Sequence, residues 1–190
     1  EEGLNQFLNQ LKCFNIEFSL SDIKKIVYLS SSNLYGTSLV KGKFQESNKI
    51  LKDSLYRKEK FLAEQEFIKQ HHLHSKEVTI LRVSNPYGSN TEKSKNGFLN
   101  ICLNNISQNL ITEVNNSGIS IRDFLYIDDL INAIGLALVN ENQTNILNIG
   151  SGTGISLLEA VKVLQSLDPS FEYTIDCQSS ENDSSILDIK

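Results

Sequence analysis

The chain has 190 residues, 39% hydrophobic and 22% charged, the balance of a globular protein with roughly one sizeable core. Its formal net charge of −5 and the lack of a basic stripe argue against a nucleic-acid or anionic-membrane surface, and no apolar run approaches the ~18 residues of a membrane span. Cys13, Cys102 and Cys177 are widely spaced and form no CxxC, which predicts free thiols in a reducing compartment; with no signal peptide, the cytoplasm is the expected location.

In chain order, residues 1–14 read as an amphipathic helix, because Leu4, Phe7, Leu8 and Leu11 recur at helical spacing. Ile26 to Leu29 is a continuous apolar run, as in strands buried on both faces of a parallel sheet. Residues 30–53, rich in Ser, Gly, Lys and Asn, read as loop. A long helix is predicted from about Ser54 to His74, with Leu55, Leu62, Phe67 and Ile68 on its apolar side. Val78 to Val83 is the next strand, apolar apart from Thr79 and Arg82. Strand, helix and strand make a βαβ unit, for which a right-handed crossover is expected.

Asn85-Pro86-Tyr87-Gly88 then reads as a turn out of the sheet, 89–97 as a polar loop and Phe98 to Ile106 as a helix. Leu110 to Val114 is a short strand, Asn115 to Gly118 a turn, and Phe124 to Ile127 extended, with Asp128-Asp129 capping a helix to about Val139. Ile146 to Ile149 reads as a strand, Ser156 as the cap of a helix to about Leu167, and Phe171 to Ile175 as the last clear strand. The expected fold is α/β.

Two motifs invite readings that the residues do not favour. His71, His72 and His74 have no cysteine or carboxylate at ligand spacing; at a helix end they suit the exposed carbonyls and the negative terminus, so no metal site is expected. Gly150-Ser151-Gly152-Thr153-Gly154-Ile155-Ser156 follows a strand and opens a helix, as a dinucleotide loop does. The third glycine of GxGxxG is replaced by Ile155, and a βα turn capped by Ser156 accounts for the segment without a ligand.

A different constellation carries chemistry. Ser31 sits just after the first apolar strand, at the C-terminal end where open α/β sheets bind ligands. Tyr56 and Lys60 lie four residues apart, on one face of the long helix. A phenol ionises near pH ~10 in water, so a tyrosine base at neutral pH needs a cation beside it. Serine, tyrosine and lysine so placed suit removal of a hydroxyl proton while a hydride leaves the same carbon.

The segments VYLSSSNLYG, YRKEKFLAE, ILRVSNPYG, RDFLYIDDL and ILNIGSG, in that order, resemble the extended short-chain dehydrogenase/reductase family, specifically its NAD-dependent sugar-nucleotide epimerase/dehydratase branch. The resemblance implies a partial Rossmann-type parallel sheet, its second half, over 1–84. It implies a small, mainly substrate-binding α/β domain over 85–190, with strands crossing back. It implies NAD as cofactor and a nucleotide sugar as substrate. Counting back four residues from Tyr35 selects Ser31, rather than Ser30 or Ser32, as the contact to the sugar hydroxyl. Tyr56 is then the general base, and Lys60 its partner and a ligand of the nicotinamide ribose. Asn85 and Arg122 take the places that meet the substrate diphosphate, while Asp123 and Asp129 read as structural. The first and second long helices resemble the pair that dimerises in this family, which implies a homodimer.

Three departures refine the expectation. Dehydratases of the branch place Asp-Glu after the active-site Ser/Thr, whereas this chain has Ser32-Asn33, which turns the prediction away from dehydration. An R-x-x-D phosphate-binding element is replaced by Gln178-Ser179-Ser180-Glu181. The glycine-rich NAD loop belongs upstream of Glu1, and the chain opens inside a helix without any methionine, so a piece of a longer protein is expected. The leading expectation is epimerisation at C4 through a 4-keto sugar. A nucleotide-sugar reductase or dehydrogenase of the same fold, and a non-catalytic fragment, are the alternatives.

Overall fold

The structure, a computed structural model, describes residues 2–38, 42–88, 97–140, 145–176 and 183–189. Cys177 and the Gln178–Glu181 departure lie outside the described residues, as does most of the expected 89–97 loop. The elements in order are α1 (Glu2–Leu20), β1 (Lys25–Ser31), a 3₁₀ turn (Ser32–Tyr35), β2 (Lys43–Phe44), α2 (Leu55–His74), β3 (Glu77–Val83), β4 (Asn85–Tyr87) and α3 (Phe98–Ser107). They continue with β5 (Thr112–Val114), a second 3₁₀ turn (Asn116–Gly118), β6 (Ile121–Tyr126), α4 (Ile127–Val139), β7 (Asn145–Ile149), β8 (Gly154–Ser156), α5 (Leu157–Leu167), β9 (Tyr173–Ile175) and β10 (Ser184–Leu187). The chain forms two compact units: Glu1–Gly36, Glu46–Val83 and Ile131–Asn148 make the first; Thr37–Gln45, Ser84–Leu130 and Ile149–Lys190 the second.

The first unit is built on a sheet of order β1-β3-β7, with β1 and β3 parallel in register from Lys25↔Glu77 to Ser31↔Val83. All six residues from Val78 to Val83 are buried, which explains the near-continuous apolar sequence of β3. Ala63 and Phe67 of α2 close on Val78 and Ile80, and Phe7, Leu11, Ile26, Tyr28, Ile68 and Ile146 pack around them. Ser54 caps α2 by accepting from Arg57 N, and Ser75 ends it in the left-handed conformation (φ 51°). His71 Nδ1 lies 2.8 Å from the carbonyl of Lys76, the backbone role expected of a histidine at a helix end.

The second unit has a sheet of order β2-β10-β6-β4, with β8 added antiparallel to β6, and a separate parallel pair β5–β9. Its apolar core is Cys102, Val114, Val161 and Phe171. Burial of the Cys102 thiol pushes its pKa up to about 11, so it behaves as a core side chain; Cys13 is an exposed free thiol. Ser156 and Glu159 form a complete capping box at the start of α5.

Several expectations are corrected. Helix α1 continues past residue 14 to Leu20, because Phe14 and Phe18 extend the apolar stripe and their rings stack at 6.0 Å. Leu55 is exposed rather than apolar-facing. Asn85-Pro86-Tyr87 is a strand, parallel to β6 from Asn85↔Phe124 to Tyr87↔Tyr126, and not a turn. The extended run before α4 starts at Ile121 and ends at Tyr126, so Asp128 and Asp129 occupy the first turn of the helix, where carboxylates suit its positive end. The loop over 30–53 holds the 3₁₀ turn and β2, and neither β8 nor β10 is anticipated from periodicity, being three and four residues long.

Candidate active site

The first unit brings the Ser31 turn and the Tyr56–Lys60 helix together. Ser31 ends β1 and caps the 3₁₀ turn, its hydroxyl accepting from Asn33 N at 3.2 Å. Of the three serines, Ser30 and Ser32 are buried and Ser31 is only half-buried, which leaves it the accessible hydroxyl of the cluster. Ser30 Oγ donates to Glu64 Oε1 at 2.5 Å, at the end of its strand.

Three ties lace one face of α2 to this strand end. Arg57 Nε donates to the carbonyl and the side-chain oxygen of Asn33, at 2.8 and 2.9 Å, while its Nη1 binds Asp53 at 2.6 Å. Lys60 Nζ donates to the Leu29 carbonyl at 2.9 Å. Glu64 receives Ser30, as above. Positions 57, 60 and 64 are spaced to share a helix face, and their partners run from Leu29 to Asn33 around Ser31. Tyr56, in the first turn of α2, is 48% exposed, open to a ligand rather than packed away.

Lys60 Nζ lies 5.9 Å from the Tyr56 ring centroid and 5.1 Å from that of Tyr28. Partial burial lowers the Lys60 pKa, with Glu64 and Glu59 working against the shift. Burial chiefly, then the charges of Glu64, Tyr56 and Glu59, push the Tyr28 phenol well above its ordinary value, so it stays neutral. An ammonium has three donors, and among the described residues Lys60 spends one of them on Leu29. The remaining donors lie next to an exposed tyrosine.

Sequence reasoning missed the buried network behind these ties. Arg82 (2% exposed) and Glu64 (0%) form a bidentate ion pair, Nε to Oε1 at 3.0 Å and Nη2 to Oε2 at 2.7 Å. Arg82 Nη1 also donates to Tyr35 Oη at 2.9 Å and to the Glu46 carbonyl at 3.0 Å; Tyr35 in turn donates to Asn148 Oδ1 at 2.7 Å. The signal was present: a lone arginine in the apolar strand Val78–Val83 needs a buried counter-charge, and Glu64 lies one further turn along the Tyr56–Lys60 face.

The other predicted residues lie in the second unit. Asn85 Nδ2 donates to the Asp123 carbonyl at 2.9 Å. Arg122 is held by Asp183 in a two-pronged pair, at 3.0 and 2.8 Å. Asp123 is fully buried and structural: its carboxylate accepts from Ser151 N and Oγ at 2.8 Å each, from Gly152 N at 3.1 Å and from Leu187 N at 3.2 Å. The amides of the Gly150–Ser156 loop that could cradle a phosphate are therefore already spent on a carboxylate. A Cβ on Gly150 would come within 2.7 Å of Asp123 Oδ2, so glycine is required there by close packing. This loop does not fit a cofactor pyrophosphate. Among the described residues no group of three or more His, Cys, Asp or Glu is placed to hold a metal ion, and no helix is long and apolar enough to cross a membrane.

A parallel α/β sheet with an accessible serine at a strand's C-terminal end and a Tyr-x-x-x-Lys helix laced beside it defines a Rossmann-like fold. Residues 16–150 match the NAD dependent epimerase/dehydratase family. The chain belongs to that family. It is 33% identical over 157 residues to the dTDP-4-dehydro-6-deoxyglucose reductase of Escherichia coli, covering 80% of this chain and 48% of that protein. It is 30% identical over 155 residues to the dTDP-D-glucose 4,6-dehydratase of Dictyostelium discoideum, covering 74% of this chain and 34% of that protein. The chain thus spans half or less of the length of these curated relatives. Among solved structures, it is similar in fold to the UDP-N-acetylglucosamine 4-epimerase from Methanobrevibacter ruminantium M1 in complex with UDP-N-acetylmuramic acid. The TM-score is 0.81 at 22% identity, over 95% of this chain and 58% of that one.

Proposed function

We propose that the protein carrying this chain is an NAD-dependent nucleotide-sugar epimerase acting at C4, with Ser31, Tyr56 and Lys60 as its catalytic group. The observation that supports this most is the lacing of α2 to Leu29, Ser30 and Asn33 on either side of Ser31, together with an exposed Tyr56 and a Lys60 ammonium that spends one donor on Leu29. NAD, whose ribose Lys60 would help to hold, would supply a reversible hydride acceptor at the sugar carbon. Tyr56 takes the proton of the C4 hydroxyl on its phenolate oxygen and, after the 4-keto sugar has turned to present its other face for reduction at carbon, gives it back to the C4 oxygen. Ser31 orients that oxygen by hydrogen bonding. Lys60 binds the ribose hydroxyls and places a positive charge near the phenol, where it favours the anion. Asn85 and Arg122 are proposed as ligands of the substrate diphosphate; for Arg122, the phosphate would join or displace Asp183. The protein is proposed to act in the cytoplasm as a homodimer through α1 and α2.

Ser32-Asn33 supports epimerisation over dehydration. Ser32 is buried and Asn33 is tied through its side-chain oxygen to Arg57, so neither offers a general acid. The similarity to a reductase favours a second reading, one-way reduction of a 4-keto nucleotide sugar by the same three residues. Incubation with UDP- and dTDP-sugars separates the two: epimer formation without net change in NADH absorbance supports the first, stoichiometric NADH consumption the second. Tyr56→Phe should abolish turnover in either case while leaving substrate binding by calorimetry largely intact; persistent turnover would refute the assignment of the base. Thermal-shift titration of this chain with NAD and with UDP-sugars tests whether it binds either unaided.

A further inference from the structure

We infer that Glu64 and Arg82 are positioning residues: their buried ion pair fixes where α2 presents Tyr56 and Lys60 to the Ser31 turn. The inference rests on the role proposed above for Tyr56, Lys60 and Ser31. An apolar pair of similar volume would hold a protein interior about as well, so what distinguishes this pair is direction. Three bonds converge on one carboxylate: Ser30 Oγ and Arg82 Nε on Oε1, Arg82 Nη2 on Oε2. Sliding α2 along its axis by one residue, about 1.5 Å, would break all three together.

The partners of the pair bracket Ser31. Ser30 precedes it, and is the register partner of Arg82 across the β1–β3 ladder. Tyr35, which receives Arg82 Nη1, closes the 3₁₀ turn that Ser31 opens. From there the bonds return to the start. Tyr35 donates to Asn148, Asn148 N donates to Glu46 Oε1, and the Glu46 carbonyl accepts from Arg82. This closed ring holds the Tyr35 end of the turn and the Ser30–Glu64 bond holds the strand end before Ser31, while Glu64 lies one helical turn beyond Lys60, whose own bond is to Leu29. Helix, strand end and turn therefore share one fixed point, inside the first unit.

The test separates arm length from charge. In the whole protein, Glu64→Asp keeps the charge but shortens the arm by one methylene, and kcat should fall about 10²-fold, the effect of a ~1 Å misplacement. KM for the nucleotide sugar should change by less than about threefold, since Asn85 and Arg122, the proposed diphosphate ligands, make no bond to this network. Glu64→Gln keeps the arm and should restore kcat to within about tenfold of the parent. A folded Glu64→Asp protein with kcat within a factor of about two of the parent would overturn the inference, as would equal losses in both variants. Should these variants fail to fold, Glu64→Met/Arg82→Met removes both charges at once. A second readout needs no turnover. In this chain, amine labelling of Lys60 relative to exposed Lys58, followed by peptide mass spectrometry, should be slow in the parent. It should rise several-fold in Glu64→Asp or the double variant, and unchanged labelling counts against positioning. If Tyr56→Phe remains active, the catalytic reading fails, while the labelling result still judges the Glu64–Arg82 pair.

Discussion

Glu64 and Asp123 are both completely buried carboxylates, and the two units keep them in opposite ways. Glu64 faces a guanidinium, and its three bonds come from side chains on two different strands. Asp123 has no counter-ion among its bonds; it is satisfied by three backbone amides and one hydroxyl. Backbone N–H groups stabilise an anion only where the chain is already folded around it, so Asp123 shapes a loop. A side-chain counter-ion instead ties side chain to side chain, and here it links the helix, strand and turn that carry the candidate catalytic residues. The first arrangement sets where one element lies against another, the second sets the course of the backbone wrapped around the carboxylate.

The sharpest way to break this comparison is to remove one charge of the linked pair. Arg82→Met leaves Glu64 buried without its partner and should cost about 3–5 kcal/mol in urea unfolding, whereas Glu64→Met/Arg82→Met should recover most of the loss. A double variant as unstable as the single one would mean that the two charges are not coupled. Asp123→Asn comes next: one carbonyl oxygen must replace two acceptors, and an NH₂ group now faces an N–H donor. A loss of about 2–3 kcal/mol is expected, with faster amide exchange at Ser151 and Gly152. Labelling of Lys60 should stay at the parent rate in that variant, because the loop and the helix are held by different carboxylates.

What could be read from the sequence follows the same division. Long periodic or continuous apolar segments announced α2, β3 and α5, and the spacing of Tyr56 and Lys60 put both on α2 before any coordinates. The count from Tyr35 selects Ser31, the one serine of the three that is not buried. Short elements did not announce themselves. β4 reads Asn-Pro-Tyr and looks like a turn, since only its pairing to β6 makes it a strand. Glu64 and Arg82 were visible as residues but not as a pair: 18 positions separate them, and nothing local says that β3 will pass beneath that turn of α2. Asp123 reads as structural from the sequence, yet its four donors come from residues 28 to 64 positions away, beyond the reach of any local rule.

Asp183 offers the smallest effect and a third kind of carboxylate, one that is paired but reached by solvent, with 24% of its side chain exposed. Burial alone would raise its pKa, but hydrogen bonds from Arg122 and Ser120, with the Arg122 charge, outweigh that and hold it below the usual carboxylate range. A carboxylate lowered in the folded state takes up protons first in the unfolded chain. Its stabilisation is therefore complete above the ordinary aspartate value of about 3.9 and is lost as pH falls below that, through the folded pKa. Asp183→Asn should lower stability by no more than about 1 kcal/mol at pH 7, as for other solvent-reached pairs. It should also flatten the fall of Tm between pH ~4 and pH ~2. If the slope there is unchanged, the Arg122–Asp183 pair contributes no net stabilisation. If instead the variant lowers KM for a nucleotide sugar at neutral pH, Asp183 is a competitor that the substrate diphosphate must displace from Arg122, and the pair belongs to recognition rather than to the scaffold.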